Sequence, residues 1–265
     1  MDGPGRPTLL VVDGGLTDEG EQQRRGADAG FRRRFARAMD GVRVVFQPLV
    51  WADRPRLFGY EALVRSTDPW LTGPLELFTA AEEAGSVAPL ERLIRRSVAE
   101  SMNTLDEDVP VFVNVHPSAL DDPELTDADA PLTAYADRVV IEVTESAALS
   151  EVANLRDRIF ALRTLGFGIA IDDLRAGYQS LRTFAEVNPD VVKFDMGLIR
   201  DVDTRPLHAE LLSSTIEICR DLGIRTVGVG VETEAERGRL TALGCEVLQG
   251  FRFARPRWPP ADIAW

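Results

Sequence analysis

The chain has 265 residues and a formal net charge of −13 at pH 7, with 45% hydrophobic and 28% charged residues. This apolar content excludes global disorder, and no apolar run approaches the roughly 18 residues that membrane insertion requires. The acidic balance argues against a DNA or RNA polymer as partner, because such binding needs a cationic surface. Two cysteines, Cys219 and Cys245, are too few for a disulfide framework. With no signal-peptide pattern at the N-terminus, a cytoplasmic protein is expected.

The first 40 residues differ in character from the rest of the chain. A short apolar run, Leu9 to Val12, precedes a polar stretch that ends in an arginine cluster around residues 32–37. This pattern predicts an N-terminal tail and a lead-in helix over residues 1–40, followed by the main domain over residues 41–265. A functional basic patch is the alternative interpretation of the arginines.

From residue 42 onward, short β-branched apolar runs alternate with segments of helical periodicity. The strand-like runs are 42–50, 57–64, 109–115, 139–143, 168–171, 191–194, 226–231 and 247–253, and the helix-like segments are 74–86, 88–104, 150–165, 179–187, 206–222 and 233–243. Strands alternating with helices over roughly 220 residues predict a (β/α)8 TIM-like barrel of the α/β class. Only a short linker separates Val50 from Leu57, too short for a helical crossover, so one antiparallel strand is expected near the start.

Strand after strand ends in a carboxylate, an amide or an amine, where a buried strand would normally end in turn residues. The residues at these ends are Glu61, Asn114, Glu142, Asp172 with Asp173, Lys193 with Asp195, and Gln249. In a (β/α) barrel the carboxyl ends of the strands converge on one face, and the chemistry of such barrels takes place there. Residues far apart in sequence are therefore expected to line one site.

Four of these residues form a set of oxygen donors from four separate strands. They are Glu61, Asn114, Glu142 and Asp172. Hard cations such as Mg²⁺, Mn²⁺ and Ca²⁺ prefer oxygen ligands, and an adjacent pair such as Asp172 and Asp173 could bridge two ions. For any single carboxylate, a solvated strand end or a salt bridge at the barrel rim is the simpler explanation. Burying the whole set without a cation would be strongly unfavourable, so together the residues predict a divalent-metal site.

Short motifs surround these strand ends. In chain order they are Phe46-Gln47-Pro48-Leu49-Val50, Tyr60-Glu61-Ala62-Leu63-Val64-Arg65, Val113-Asn114-Val115-His116-Pro117, Ile141-Glu142-Val143-Thr144-Glu145-Ser146, Ile171-Asp172-Asp173-Leu174 with Gly177-Tyr178, Lys193-Phe194-Asp195, Gly230-Val231-Glu232-Thr233 and Leu248-Gln249-Gly250-Phe251. Over roughly residues 42–258 this series resembles the EAL domain family, whose members are (β/α)8-like barrels. Residues 41–265 would then be the EAL domain.

The resemblance implies hydrolysis of the bacterial second messenger cyclic di-GMP to linear pGpG with Mg²⁺ or Mn²⁺, while Ca²⁺ could occupy the site non-productively. It implies a first-metal set of Glu61, Asn114, Glu142 and Asp172. The implied catalytic residues are Asp173 at the second metal and its bridging water, Lys193 positioning that water, Gln249 beside the reacting phosphate, and Glu145 anchoring the loop after Asp173. The positions that match dinucleotide contacts are Gln47, Leu63, Arg65 and Asp195. A homodimer and a signalling partner protein are left open.

The sequence departs from the family at the seventh strand. Where the family typically reads Ala-Glu-Gly-Val-Glu-Thr, this chain has Val229 in place of the first glutamate, which lies near the second metal in active members. An isopropyl group can neither coordinate a cation nor accept a proton, and losing a comparable contact lowers a rate by about 10²–10³. The sequence therefore predicts binding of cyclic di-GMP with weak or absent turnover. An inactive cyclic di-GMP sensor and a protein-interaction scaffold are the alternatives. In the loop after Asp173, this chain has Arg175 where many members have glycine. In the family this loop couples the metals to a dimer interface, so the substitution puts that coupling and dimerisation in doubt.

Overall fold

Eight strands close into one barrel in chain order, in a computed structural model that describes residues 30, 31, 33–106, 108–145, 149, 151–174, 184, 186–260 and 262–265. The strands are β1 Val42–Trp51, β2 Leu57–Ser66, β3 Val111–Val115, β4 Val139–Thr144, β5 Gly168–Leu174, β6 Val191–Phe194, β7 Arg225–Val229 and β8 Val247–Gln249. Strand β1 pairs antiparallel with both β2 and β8, and every other pairing is parallel. The predicted (β/α)8 TIM-like barrel with one antiparallel strand near its start is confirmed.

Helices cover the outside of the barrel and connect β2 to β3, β4 to β5, β6 to β7 and β7 to β8, whereas 3-10 turns connect β3 to β4. In the described part of the chain they are α1 over residues 33–40, α2 Pro74–Glu83, α3 Val87–Ser101, α4 Leu155–Thr164, α5 Met196–Ile199, α6 Pro206–Asp221 and α7 Glu234–Ala242. Short 3-10 turns lie at Met102–Thr104, Pro117–Asp121, Pro123–Thr126 and Thr133–Arg138. Most of the helix predicted over residues 179–187 lies outside the described residues. The division of the chain at residue 40 stays a prediction.

Several predicted strands and helices are shorter than the sequence pattern suggested, most clearly at the ends of β7 and β8 and at the start of α4. Strand β7 ends at Val229 because Gly230 has a left-handed φ of +83°. Strand β8 ends at Gln249 because the chain turns at Gly250, where an added Cβ would lie 2.1 Å from the Val231 carbonyl oxygen. Helix α4 begins at Leu155, directly after Asn154, which has a φ of 54° and cannot continue a right-handed helix.

The apolar core has two shells. The larger shell lies between the strands and the surrounding helices, and it includes residues of α1, α3, α4 and α6. The smaller shell fills the barrel interior and contains Leu49, Phe58, Phe112, Ala170, Val191, Val227 and Val247. This interior shell packs the barrel below its carboxyl-end face and leaves that face to polar residues.

Candidate metal and nucleotide site

A polar layer lies directly above the interior apolar shell. Because side chains alternate along a strand, the residue two positions after an interior residue also faces the interior. The apolar and polar members of these pairs are Phe112 and Asn114, Val140 and Glu142, Ala170 and Asp172, Val191 and Lys193, and Val247 and Gln249. The structure thus brings these polar strand-end residues and Glu61 together in one layer because of strand periodicity. The predicted strand-end residues Asp173 and Asp195 lie outside it, in the adjoining cleft and at the start of α5.

The Lys193 ammonium lies at the centre of this layer. Its Nζ atom is 2.8 Å from Glu142 Oε1, 3.0 Å from Glu61 Oε2 and 3.7 Å from Asp172 Oδ1. Lys193 is 1% exposed and Glu142 is fully buried. Three carboxylates from three strands therefore surround one cation of the protein itself.

Glu61 links four strands through its two carboxylate oxygens. Asn114 Nδ2 donates to Glu61 Oε1 at 2.8 Å, and Gln249 Nε2 donates to Glu61 Oε2 at 2.7 Å. Gln47 lies opposite Glu61 in the β1–β2 ladder and accepts a weaker hydrogen bond from Gln249 at 3.4 Å. These contacts orient side chains from β1, β2, β3 and β8 around a single carboxylate.

The pKa values in the layer reflect a surplus of negative charge. Burial raises the pKa of Glu142 well above its usual range and that of Asp172 to about 6, and neighbouring carboxylates add to both shifts. Burial alone would lower the pKa of Lys193, but the three carboxylates raise it well above its usual range. Burial would also raise the pKa of Glu61, yet Lys193 and three hydrogen bonds lower it. One ammonium does not balance this group of acids.

The donor set fits a divalent cation. Glu142 Oε2 and Gln249 Oε1 are buried and accept no hydrogen bond, although both lie in the charged layer. Buried oxygens of this kind are normally paired, and carboxylate and amide oxygens are what Mg²⁺ and Mn²⁺ bind. Within the described residues no three Asp, Glu, His or Cys side chains lie in an arrangement that could hold a metal ion. The ammonium of Lys193 lies between the carboxylates instead.

A cleft of about 470 Å³ opens beside the polar layer, between the ends of β2 and β3 and helices α2 and α3. Its lining includes Leu63, Phe78, Asn114, His116 and Asp173. The His116 ring stacks on the Phe78 ring at a centroid separation of 5.8 Å and an interplanar angle of 15°. Asp173 has a left-handed φ of 55°, so its backbone turns away from the regular strand. The cleft offers flat apolar surface within reach of the carboxylates.

The remaining predicted residues lie around the rim of this site. Leu63 and Arg65 share the strand face of Glu61, because they follow it by two and four positions. Asp195 accepts a hydrogen bond from the Gly197 N–H at 2.7 Å at the start of α5. The Glu145 N–H donates to the Asp172 carbonyl at 2.9 Å. Ser146, Arg175, Gly177 and Tyr178 lie outside the described residues.

Among the strand ends that the structure describes, Val229 is the one apolar residue in the polar layer. It follows the interior residue Val227 by two positions, is half-buried and lies opposite Gln249 in the β7–β8 ladder. The side chain also packs against the interior apolar shell. The departure noted in the sequence therefore falls on a position that faces the site.

A buried ionic cluster under the cleft was missed at the level of sequence. Glu91 and Arg95 lie on the buried face of α3, and Arg95 Nη2 is 2.5 Å from Asp122 Oδ2. Arg92 also pairs with Asp122, at 2.7 Å. The sequence does contain an indication of this cluster. Glu91 and Arg95 occupy positions on the apolar face of an amphipathic helix, and a charged side chain buried there needs a partner.

An α/β barrel with a buried acidic layer at the carboxyl ends of its strands defines the class of protein. Residues 32–256 match the family model described as the EAL domain. The chain belongs to the EAL domain family. The cyclic di-GMP phosphodiesterase RocR of Pseudomonas aeruginosa is 32% identical over 222 residues, which are 80% of this chain and 56% of RocR. The chain thus spans about half the length of RocR, and less of several other curated relatives.

Solved structures agree with this assignment. The PaMucR phosphodiesterase in complex with cyclic di-GMP superposes with a TM-score of 0.76 at 27% identity, covering 88% of this chain and 98% of that one. BlrP1 of Klebsiella pneumoniae, in a manganese and cyclic di-GMP complex, superposes with a TM-score of 0.72 at 31% identity, covering 82% of this chain and 56% of that one. BlrP1 has also been solved with calcium and cyclic di-GMP. Among the described residues of this chain, no helix has the length and apolarity to span a bilayer.

Proposed function

We propose that this EAL domain binds cyclic di-GMP with Mg²⁺ or Mn²⁺ and hydrolyses it to pGpG weakly or not at all. The observation that carries this proposal is the polar layer, in which Lys193, Glu61 and Glu142 meet within 3.0 Å while two buried oxygens accept no hydrogen bond. The RocR and PaMucR relatives, both phosphodiesterases, support the substrate class. The acidic chain would attract an anionic dinucleotide through bound cations.

The oxygen donors of the layer would hold the first cation. They are Glu61, Asn114, Glu142 and Asp172, with Asp173 as the ligand next to them for a second. A bound divalent cation neutralises charge on a phosphodiester and lowers the pKa of water. In the layer without metal, the surrounding carboxylates raise the pKa of Lys193, so it is charged and donates hydrogen bonds. In the proposed reaction its ammonium would position the water that bridges the cations. Gln249 would lie beside the reacting phosphate and Glu145 would anchor the loop after Asp173. The dinucleotide would be contacted by Gln47, Leu63, Arg65 and Asp195.

Val229 is the reason for proposing weak turnover. A glutamate at this position would add a carboxylate next to Gln249 on the rim of the layer, whereas valine adds only an apolar surface. The donors proposed for the first cation do not include residue 229, so binding should survive its loss. Removing an electrostatic contact of this kind commonly lowers the rate by about 10²–10³.

A protein-interaction scaffold is the second candidate, and one surface favours it. Leu207, Leu211, Ile218 and Leu222 are spaced at helical intervals along and just beyond α6, and they are 69%, 37%, 49% and 64% exposed. Apolar residues that form one face of a helix are usually covered by another part of the protein or by a partner protein, so an exposed face of this kind is a candidate interaction surface. A scaffold, however, has no use for a buried group of four charged residues, which favours the nucleotide function.

Calorimetric titration with cyclic di-GMP tests the proposal. We expect heat of binding in the presence of Mn²⁺ or Mg²⁺, and chromatographic assay of the same samples should find little pGpG. The matched variant is Asn114→Ala, which removes a proposed ligand that is not itself charged. No heat in any condition, with or without metal, would refute both nucleotide functions and leave the scaffold. Turnover at the rate of a fully active relative under the same conditions would refute the weak-turnover part alone.

A further inference from the structure

Glu91 is a fully buried carboxylate that lies outside the polar layer. It belongs to helix α3, and its Oε1 atom accepts a hydrogen bond from the His116 backbone N–H at 2.8 Å. His116 directly follows the last residue of β3 and begins the 3-10 turn Pro117–Asp121. Its N–H lies beyond the strand ladder and needs another acceptor, which Glu91 supplies.

This contact lies two residues from a proposed metal ligand. Asn114 and His116 flank Val115, a 3%-exposed core residue, so the short segment has little freedom between the two. The Asn114 carboxamide donates to Glu61 Oε1 at 2.8 Å. A displacement of the end of β3 would therefore move the Asn114 carboxamide. That carboxamide must keep its orientation to donate to Glu61 and to coordinate the proposed cation.

The second carboxylate oxygen of Glu91 lies beside a buried cluster of ion pairs. Arg95 Nη1 lies 3.6 Å from Glu91 Oε2, and the same guanidinium forms a 2.5 Å ion pair with Asp122. Arg92 pairs with Asp122 as well and reaches Glu124 at 3.5 Å. Asp122 also accepts the Glu124 N–H at 3.1 Å. The loop after β3 is thus tied to α3 at two points, His116 and Asp122.

From this geometry we infer that Glu91 is a positioning residue for the site: its hydrogen bond to the His116 N–H sets the end of β3 and, through it, the Asn114 carboxamide. Glu91 lines the cleft beside the polar layer, and its polar contacts are the His116 N–H and the Arg95 guanidinium. The inference rests on the proposed function to the extent that Asn114 is a metal ligand. The ion pairs at Asp122 stabilise the loop but do not determine the direction of Asn114.

Four variants separate positioning from general stability. Glu91→Gln keeps an oxygen that can accept the His116 N–H, Glu91→Asp keeps the charge but is one methylene shorter, and Glu91→Leu removes the acceptor at similar volume. Asp122→Asn is the matched control, since it disturbs the same cluster without touching His116. Two quantities are measured for each: Mn²⁺ affinity by calorimetry, and the NMR signals of the Asn114 side-chain amide in metal-free protein, assigned by their absence in Asn114→Asp.

We expect Glu91→Leu to weaken Mn²⁺ binding about tenfold or more, which is the usual effect of losing a group that orients a ligand, and to shift the Asn114 amide signals. Glu91→Asp should do the same to a smaller degree, and it carries the test should Glu91→Leu fail to fold. Glu91→Gln and Asp122→Asn should match the wild type in both measurements.

The inference is overturned if Glu91→Leu and Glu91→Asp bind Mn²⁺ like the wild type with unshifted Asn114 signals, or if Asp122→Asn reproduces their effects. A wild-type protein that binds no Mn²⁺, with Asn114 signals still shifted in Glu91→Leu, refutes the proposed metal function and supports the positioning role. The two failures are therefore distinguishable.

Discussion

Replacing Val229 by glutamate is the sharpest perturbation the site offers. The residue ends β7, faces the polar layer and lies opposite Gln249, which donates to Glu61 at 2.7 Å. A carboxylate introduced there joins a group in which one ammonium already faces three acids. The variant should therefore gain activity with metal and lose stability without it.

Both magnitudes follow from the surroundings of residue 229. An ionised group placed in a partly buried position without a partner lowers the free energy of unfolding by about 1–3 kcal/mol. For a domain of this size, each kcal/mol shifts the melting temperature by about 2–4 °C. A second cation that binds only with the glutamate in place, at 100 times its dissociation constant, returns about 2.7 kcal/mol, so the loss relative to wild type should largely disappear in Mn²⁺. Turnover should rise by about 10²–10³, the usual range for one electrostatic contact.

Two measurements check these effects. Chromatography measures pGpG formation at saturating cyclic di-GMP and Mn²⁺, and thermal unfolding is measured with and without metal. Val229→Gln is the matched control, because it has the shape of glutamate without its charge and should gain no activity. The reasoning is refuted if the valine protein already hydrolyses at a rate that glutamate does not improve. An unchanged melting temperature in metal-free Val229→Glu would show that this side chain does not face the layer.

Three further changes test other parts of the structure. Lys193→Met leaves Glu61 and Glu142 without their buried cation and should lower the free energy of unfolding by about 3–5 kcal/mol in metal-free protein, measured by urea unfolding; a loss below 1 kcal/mol contradicts the central role of the ammonium. Burial raises the pKa of Glu91 from 4.5 to about 7; the His116 N–H and Arg95 oppose this increase, and Asp122 adds to it. Between these two pH values the folded state keeps the Glu91 proton that the unfolded state has lost. The free energy of unfolding therefore falls as pH rises from about 4.5 to 7. Glu91→Gln should lack this fall, so the variant should gain up to about 3 kcal/mol relative to wild type between pH 4.5 and 8; parallel pH profiles would contradict it. Thr233→Ala removes the capping box of α7 and should lower stability by about 1 kcal/mol, without changing cyclic di-GMP affinity in the calorimeter.

Much of the barrel and its polar layer could be predicted because both depend on local periodicity. Alternation along a strand places Asn114 above Phe112 and Lys193 above Val191, and the short link between β1 and β2 allows only a hairpin. The same alternation shows that Val229 faces the site, which makes its departure meaningful. These features need no knowledge of contacts between distant residues.

The exact ends of β7 and β8 could not be predicted, because they depend on the left-handed backbone of Gly230 and on a close contact between two loops. Gly250 lies so close to Val231 that the backbones touch, and the Val231 N–H donates to the Gln249 carbonyl at 3.0 Å. Apolar composition over residues 247–253 gives no sign of this approach. The partners of Glu91 were likewise hidden, since helical spacing shows that Glu91 is buried but not which backbone N–H it meets.

The position of Lys193 has a consequence for the order of assembly. A cluster of like charges normally resists being enclosed, and many metalloproteins complete their folding only when the ion arrives. Here the chain brings its own counter-ion to the middle of the cluster on the sixth strand. The barrel can therefore close without a metal ion, and the cation proposed for this site would bind to a protein that is already folded.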